Sequence, residues 1–475
     1  METTRPRKRN LVLFLPDQQR PDTIGCYGGI KVRSPSLAKL ASESVVFERA
    51  YVTQPVCSPS RSSLITGLWP HTSGCTQNAA PINPKIRLLP ELFEDKNYIT
   101  AYMGKWHLRP VEMLGRAFSH HVSVQGASDY SDYLVSQGLT PDRKEGGFTE
   151  LTISKLPVEL SQPKFLERRA CEFIRRNRDE AFVIVVAFVE PHAPYNGPLN
   201  DAHLLSDVEI DRSASIPLSQ ATPLRYRLIH EWQQEQALID PEKRAFYFGT
   251  DVNEYRKLKQ RYLGLVSLVD QSIGAILNCL NENDLLDRTV VVHTSDHGDM
   301  LGAHQLFGKE VMYEEAVRVP FLMKIPGQTP VRIAEPVSHI NFVPTLLDLL
   351  GQPANEQCLG KSLLPRLDDR AARENVFVEW SPNWRAKVKK GTRLGRRRAV
   401  KRALAESTRT VITPEGWKLS LRDKDLNELY YLPDDPDELR NLFYEGSHRQ
   451  LILRCTAELR RWQELTSDRC RLPKV

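Results

Sequence analysis

The sequence predicts an α/β fold: a mostly parallel central sheet flanked by helices, with a smaller C-terminal α+β region. Short, continuously apolar strands alternate with helical patterns, which is typical of a parallel sheet covered on both faces. Polar clusters follow directly after several of these strands, where open α/β sheets place their ligands. With 475 residues, 41% of them hydrophobic, the chain is long enough for a large core.

The strands are predicted from apolar runs that end at a polar cluster, as Pro16-Asp17 ends the first one. They are expected at 10–15, 45–52, 99–103, 182–189 and 289–294. The helices are predicted from apolar residues at helical spacing and from caps, as Ser34-Pro35 provides for the first helix. They are expected at 34–43, 60–67, 89–96, 164–176, 252–281, 341–350 and 448–464.

Two regions depart from this alternation. Residues 196–250 carry few periodic signals and are interpreted as an irregular insertion. From about residue 376 the pattern changes to shorter strands and turns, with a terminal helix. We therefore expect a large α/β domain, 1–375, and a smaller C-terminal subdomain, 376–475, with antiparallel strands.

Charge and cysteine usage exclude several classes of protein. The net charge is only +6, and no apolar run approaches the roughly 20 residues of a membrane span, so no membrane partner is expected. Basic residues precede the first apolar run, but Pro16 ends that run too early for a signal peptide, which predicts a cytoplasmic protein. The eight cysteines form no CxxC pair, which indicates buried thiols rather than a disulfide scaffold.

One cysteine lies in a distinctive motif. The run 57–67, Cys-Ser-Pro-Ser-Arg-Ser-Ser-Leu-Ile-Thr-Gly, follows a predicted strand and begins a predicted helix. It resembles the signature of the type I sulfatases, which have the alkaline phosphatase-like fold. The resemblance implies that a formylglycine-generating maturation enzyme oxidises Cys57 to formylglycine, whose hydrated aldehyde is the nucleophile. The simpler reading of these residues is a buried thiol in an ordinary strand–helix turn.

Physical chemistry agrees with the resemblance. A helix N-terminus favours an anion at position 57, and Arg61 lies one turn further along. One hydroxyl of a geminal diol can attack sulfur, and the other can expel sulfate afterwards. No water then needs to attack the crowded sulfur centre.

A divalent cation would lower the pKa of such a diol. Asp17-Gln18 and Asp296-His297 follow two strands, and the resemblance implies that they are metal ligands, although each pair alone fits a turn or a cap. Their oxygens favour Ca²⁺, with Mg²⁺ or Mn²⁺ as alternatives, over Zn²⁺. Gln18 departs from the second Asp of many sulfatases and resembles the phosphonate monoester hydrolases and choline sulfatases.

Four further residues complete the predicted catalytic set with Cys57 and Arg61. Lys105 and His107 resemble the Lys-x-His segment of the family, which contacts the nucleophile and the anion. His192 resembles the substrate histidine and is a candidate general acid. Lys309, which follows Asp296-His297 in the sequence, resembles the sulfate-binding lysine of the family. Each alone would more simply be a surface lysine or a core histidine, and the shared order along the chain favours the functional reading.

A strongly basic stretch lies at 385–402, with ten Lys or Arg in eighteen positions and no acid. A solvated loop is the simpler interpretation, and capture of a polyanion such as a sulfated polysaccharide is the functional one. Nucleic acid is not expected as a partner, because the stretch has no interleaved aromatic residues.

The sequence therefore predicts a sulfatase that acts on a sulfated small molecule or saccharide. The alternative is a phosphonate monoester or phosphodiester hydrolase on the same scaffold. The third interpretation is a non-catalytic polyanion-binding protein, which would leave Cys57 unmodified.

Overall fold

Two β-sheets organise the described part of the chain, which in this computed structural model comprises residues 8–28, 31–239, 247–367, 373–382 and 392–475. The strands are β1 (Asn10–Phe14), β2 (Val45–Tyr51), β3 (Tyr98–Gly104), β4 (His120–Val122), β5 (Ala181–Ala187), β6 (Thr289–Thr294), β7 (Arg318–Val319), β8 (Phe321–Lys324), β9 (Val331–Ser338), β10 (Val376–Trp380), β11 (Thr408–Ile412), β12 (Trp417–Arg422) and β13 (Glu428–Tyr431). The α-helices are Pro35–Ser42, Cys57–Thr66, Pro70–Ser73, Glu112–Ala117, Asp129–Ser136, Glu150–Ile153, Gln162–Arg176, Leu224–Ile239, Val252–Glu282, Glu314–Val317, Phe342–Leu349, Leu364–Leu367, Arg397–Leu404 and Arg449–Thr466.

The central sheet has the strand order β4-β3-β5-β1-β6-β8-β2-β7, and β9 pairs with β2. The run from β4 to β6 is parallel throughout, whereas β8 is antiparallel to both β6 and β2. The five residues of β1 are all buried, as expected for a strand in the middle of a covered sheet. The predicted mostly parallel sheet is confirmed.

Apolar side chains cover both faces of this sheet. Alternate residues of β1 point to opposite faces, so Leu11 and Leu13 join one core cluster and Val12 and Phe14 join the other. Helices Gln162–Arg176 and Val252–Glu282 contribute to the second cluster. Five of the eight cysteines are buried and all eight are free thiols, in agreement with the sequence.

Helix Val252–Glu282 is long and apolar enough to cross a membrane by length and composition alone. However, 72% of its most apolar window is buried inside the protein. A core helix of a large domain has the same properties, and this helix packs on the central sheet through Val269, Ile273 and Ile276.

The smaller sheet is antiparallel, in the order β10-β11-β12-β13. Helix Arg449–Thr466 packs on it through Ile452, Cys455 and Leu459. This sheet also contacts the loop that follows β2, since the Glu379 N–H donates to the Thr53 carbonyl at 2.8 Å. The division into two domains at residue 376 stays a prediction.

Three details differ from the sequence predictions. The predicted helix at 89–96 is only a 3-10 turn at Leu89–Leu92, because Phe93 becomes extended and its ring packs on Tyr98. The helix predicted from residue 60 begins at Cys57. The insertion at 196–250 contains helix Leu224–Ile239. In the basic stretch, residues 385–391 lie outside the described residues.

Candidate active site

The candidate site lies at the carboxyl edge of the central sheet, where the parallel strands β1 and β6 end side by side. Asp17 follows β1 and Asp296 follows β6, so two residues distant in the chain meet at this edge. The backbone N–H of Gln18 donates to Oδ1 of Asp296 at 3.0 Å. The loops after the two strands are therefore tied together through these residues.

Cys57 is the first residue of helix Cys57–Thr66, and it is only 1% exposed. The residue before it is extended, so the chain passes from the β2 loop directly into the helix. Nε2 of His297 lies 3.3 Å from the cysteine sulfur. Possible ligand atoms of Asp17, Cys57, Asp296 and His297 all lie within 4.8 Å of one another. The positive end of the helix dipole thus faces a compact polar cluster.

Arg61 holds the two carboxylates of this cluster and is only 2% exposed. Its Nε donates to Oδ2 of Asp296 at 2.8 Å, and Nη2 lies 3.3 Å from Oδ2 of Asp17. Its Nη1 donates to the carbonyl of Lys105 at 2.7 Å. A guanidinium with several donors can fix groups from separate loops at once, and here it fixes three.

Lys105 enters the site from the end of β3, and its Nζ forms an ion pair with Asp17. Gly104 makes this entry possible, because its φ is 109° and an added Cβ would lie 1.9 Å from the Ala187 carbonyl oxygen. The Lys105 N–H donates to that same carbonyl at 2.8 Å. A side chain at position 104 would therefore push Lys105 away from Asp17.

Gln18 and Lys309 form the next contact. Nζ of Lys309 donates to Oε1 of Gln18 at 2.6 Å. Burial alone would lower the pKa of Lys309, but the nearby Cys57 and Asp17 raise it above its ordinary value. The lysine is therefore cationic at neutral pH.

His192 follows β5 at the border of this charged cluster. Burial, and then the positive charges of Lys309 and Lys105, lower its pKa to about 3. Its Nδ1 lies 2.7 Å from the Ala193 carbonyl, which can only accept. The neutral ring thus carries its proton on Nδ1 and leaves Nε2 as an acceptor.

His107 occupies a different kind of position. It is exposed, has a left-handed φ of 56°, and its carbonyl accepts from the Ser58 hydroxyl at 2.5 Å. Among the hydrogen bonds and ion pairs of the described residues, its imidazole joins none with the cluster around Cys57. The role predicted for the His107 side chain stays a prediction.

The charges of the cluster determine its ionisation. Burial would raise the pKa of Asp17, but the neighbouring cations, led by Lys105, lower it well below its ordinary value. Burial and Asp17 would raise the pKa of the Cys57 thiol, but Lys309, Lys105 and His297 lower it well below its ordinary value. Asp17 is consequently anionic at neutral pH, and the surrounding cations favour the thiolate form of Cys57.

The donor set fits a hard divalent cation. Oδ1 of Asp17 is buried, and no hydrogen-bond partner for it occurs in the described part of the chain. Nδ1 of His297 donates to the Gly298 carbonyl at 2.9 Å, which leaves Nε2 available as a ligand. With Gln18 and Asp296, these residues supply mainly oxygen atoms, as Ca²⁺, Mg²⁺ and Mn²⁺ prefer.

Two buried residues of this region were not predicted. Asp299 accepts hydrogen bonds from the Gln18 amide and from the Tyr195 hydroxyl. Asp299 lies in the same polar segment after β6 as Asp296, so the sequence could have indicated it as a site residue. Tyr195 lies in a loop without periodicity, and no pattern in the sequence marks it.

Comparison with known proteins agrees with the class that this fold and site define. A family model described as Sulfatase matches residues 9–352, and one described as N-sulphoglucosamine sulphohydrolase, C-terminal, matches residues 302–465. The chain belongs to the type I sulfatase family, and its enzyme class is that of the sulfuric ester hydrolases.

Individual relatives are distant but match over most of their length. The N-acetylglucosamine-6-O-sulfatase of Bacteroides thetaiotaomicron is 28% identical, covering 94% of this chain and 84% of the relative. The choline-sulfatase of Rhizobium meliloti is 26% identical, covering 92% and 82% respectively. The solved phosphonate monoester hydrolase from Silicibacter pomeroyi shares the fold, with a TM-score of 0.81, 20% identity, and coverage of 97% and 96%.

Proposed function

We propose that this protein hydrolyses a sulfate ester of a carbohydrate or an aryl alcohol, with Cys57 converted to formylglycine and one divalent cation beside it. The observation that carries the proposal is the meeting of Cys57 with Asp17, Asp296 and His297 at a helix N-terminus. Similarity to an N-acetylglucosamine-6-O-sulfatase supports a sulfated saccharide as the substrate. A maturation enzyme that oxidises Cys57 is the required partner.

The charge balance of the site supports an anionic substrate. Three cationic side chains, Arg61, Lys105 and Lys309, lie around the carboxylates of Asp17 and Asp296. A divalent cation would add to this positive surplus. Since these charges are shielded from water, their attraction for a sulfate group is stronger than it would be on the surface.

The residues of the chain then have distinct tasks. When present, the hydrated formylglycine supplies an oxygen nucleophile and the cation lowers the pKa of that oxygen. Lys105 and Lys309 bind sulfate oxygens and neutralise their charge. Arg61 keeps Asp17 and Asp296 oriented, with Oδ1 of Asp17 left open for the cation.

His192 is the proposed general acid, with Nε2 as the atom that transfers the proton. Its pKa of about 3 keeps the ring neutral before substrate binds. An anionic substrate beside the ring favours the charged imidazolium and raises that pKa. The proton on Nε2 can then pass to the oxygen of the departing alcohol.

The alternative function is hydrolysis of a phosphonate monoester or a phosphodiester. Gln18 favours it, because a neutral amide leaves the site one charge more positive than a second aspartate would. A more positive site suits a more strongly anionic substrate or transition state. A non-catalytic polyanion-binding protein is the remaining candidate.

One experiment distinguishes the sulfatase from the phosphonate or phosphodiester hydrolase and from the non-catalytic polyanion-binding protein. The protein is produced together with a maturation enzyme, the Cys57 peptide is weighed by mass spectrometry, and initial rates are measured on nitrophenyl sulfate and on an aryl phosphonate. The proposal expects conversion of Cys57 and a higher kcat/KM for the sulfate. A higher kcat/KM for the phosphonate would establish the alternative, and unconverted, inactive protein would indicate polyanion binding.

A further inference from the structure

Asp299 contacts the amide of Gln18 and is fully buried, with 0% exposure. Its carboxylate accepts hydrogen bonds from Nε2 of Gln18 and from the hydroxyl of Tyr195. It also accepts from the backbone N–H of Leu301 at 3.0 Å and of Gly308 at 2.9 Å. Every one of these partners offers a proton, so Asp299 acts here as an acceptor throughout.

This arrangement fixes the orientation of the Gln18 amide. A glutamine amide donates through nitrogen and accepts through oxygen. Nε2 is turned towards Asp299 and lies 3.2 Å from the Tyr195 hydroxyl, so Oε1 is the atom that faces Nζ of Lys309, at 2.6 Å. A flipped amide would set oxygen against the carboxylate and nitrogen against the ammonium group, and it would lose both hydrogen bonds.

We infer that Asp299 is a positioning residue for the cation site: it holds Nε2 of Gln18 so that Oε1 faces the cation, and it makes an amide necessary at position 18. The inference rests on the cation site of the proposed function. It explains the departure of this chain from the second aspartate of many sulfatases by a contact within the chain itself.

A carboxylate at position 18 would meet the Asp299 carboxylate with no donor between them. Two buried charges of the same sign in contact are strongly disfavoured. Without Asp299, the opposite ranking is expected, because a carboxylate binds a hard divalent cation more tightly than an amide does. The inference therefore predicts which side chain at position 18 binds the cation more tightly: an amide when Asp299 is present, and a carboxylate when it is not.

The test uses two substitutions of equal length, Gln18→Asn and Gln18→Asp, each alone and each combined with Asp299→Asn. Dissociation constants for Ca²⁺ are measured by calorimetry at one mildly alkaline pH for all variants. With Asp299 present, Gln18→Asn should bind Ca²⁺ about 10-fold more tightly than Gln18→Asp, as outer-sphere contacts typically affect affinity by about 10–100-fold. In the Asp299→Asn background the order should reverse, because the introduced amide can donate to the acid.

Tyr195→Phe serves as the control, since it removes the hydroxyl that donates to Asp299 and accepts from Gln18, but keeps the hydrogen bond between Gln18 and Asp299. It should weaken Ca²⁺ binding less than Asp299→Asn does, and melting temperatures without Ca²⁺ show whether each variant is folded. The same ranking of the two Gln18 variants in both backgrounds, or no Ca²⁺ binding by any form, would overturn the inference. If Asp299→Asn does not fold, tighter binding by Gln18→Asp than by Gln18→Asn suffices to overturn it.

Hydrolysis of sulfate esters by the unmutated enzyme is measured separately. Unmutated protein that binds Ca²⁺, with variants that follow the predicted reversal, supports the inference even if no sulfate ester is cleaved. In that case only the proposed function fails.

Discussion

Two of the clusters of buried charge among the described residues differ in how their charged side chains are paired. The site cluster consists of Asp17, Arg61, Lys105, Asp296 and Lys309. The C-terminal cluster consists of Glu314, Lys418, Arg422, Glu428 and Glu438. In the C-terminal cluster, Nζ of Lys418 lies 2.9 Å from both Glu314 and Glu438, and Arg422 lies 2.6 Å from Glu428.

In the site cluster, Nζ of Lys309 forms no ion pair with a carboxylate among the described residues and donates instead to the neutral amide of Gln18. Oδ1 of Asp17 has no hydrogen-bond partner within the described ranges. Nε of Arg422 and Oε1 of Glu438 have none either, but Oε1 of Glu438 lies 2.9 Å from Nζ of Lys418. Burying a charge is costly unless a partner compensates it. Pairing of each charged side chain with an opposite charge therefore indicates a role in the fold, whereas a buried lysine without a carboxylate partner next to Cys57 indicates a place for a ligand. Burial of charge alone does not distinguish the two.

The largest expected effect is on the site cluster. Asp17→Ala or Asp296→Ala should abolish Ca²⁺ binding and lower kcat/KM by about 10³-fold or more, because each removes a proposed carboxylate ligand. Calorimetry and steady-state kinetics measure the two effects. Full activity of the unmutated enzyme after exhaustive chelation would show that the cation assignment is wrong.

The effect of substituting His192 should depend on the leaving group of the substrate. His192→Ala should lower the turnover of a sugar or alkyl sulfate by about 10²–10⁴-fold and that of nitrophenyl sulfate far less, since a phenol leaves without a proton donor. The exposed His121→Ala is a matched control and should change neither rate.

Two other outcomes for His192→Ala would contradict the acid assignment. Equal losses on both substrates would mean that His192 binds the anion. No loss on either would place it outside the site.

Substitutions in the C-terminal cluster should lower the stability of the protein rather than its activity. Lys418→Met leaves Glu314 and Glu438 buried without their cation, so the free energy of unfolding should fall by about 3–5 kcal/mol while kcat per folded molecule is kept. The partly exposed Lys424→Met is the control and should cost less than about 1 kcal/mol. A large loss of kcat in a stable Lys418→Met protein would show that the two clusters are not separate.

The smallest expected effect concerns Glu190, a carboxyl group outside both clusters. Burial raises its pKa to about 7, and its Oε2 finds no hydrogen-bond partner among the described residues. The folded protein therefore holds a proton here that the unfolded chain releases near pH 4.5, so the contribution to stability falls as the pH rises from about 4.5 to about 7.

Glu190→Gln tests this directly. The unmutated protein should lose about 1–3 kcal/mol relative to the Gln variant across that pH window, as measured by denaturant unfolding at several pH values. Parallel pH profiles for the two proteins would show that Glu190 has an ordinary pKa.

Much of the site could be predicted from the sequence because its residues follow recognisable strands. Asp17 and Asp296 come after continuous apolar runs, and the ends of parallel strands meet at one edge of a sheet. The motif at Cys57 marked the residue, and it placed the start of the helix three residues too late. Lys309 follows no strand, and only its resemblance to the family indicated it.

Other features depend on tertiary contacts that no local pattern reveals. Helix Leu224–Ile239 was missed because its buried side includes Arg225 and Gln233, which interrupt the apolar periodicity. Arg225 is compensated by Glu406, with Nε donating at 2.7 Å, and these residues are far apart in the sequence. The contact between Gln18 and Asp299 is of the same kind, since many acids in the chain could have supplied it.

Release of inorganic sulfate shows whether the site cluster, with Cys57 converted, is a sulfatase site. Protein produced with a maturation enzyme is supplied with Ca²⁺ and a sulfated N-acetylglucosamine. The unmutated protein should release sulfate, and Cys57→Ala should release none above background, because alanine provides no nucleophile. Sulfate release by Cys57→Ala at the unmutated rate would show that Cys57 is not the source of the nucleophile.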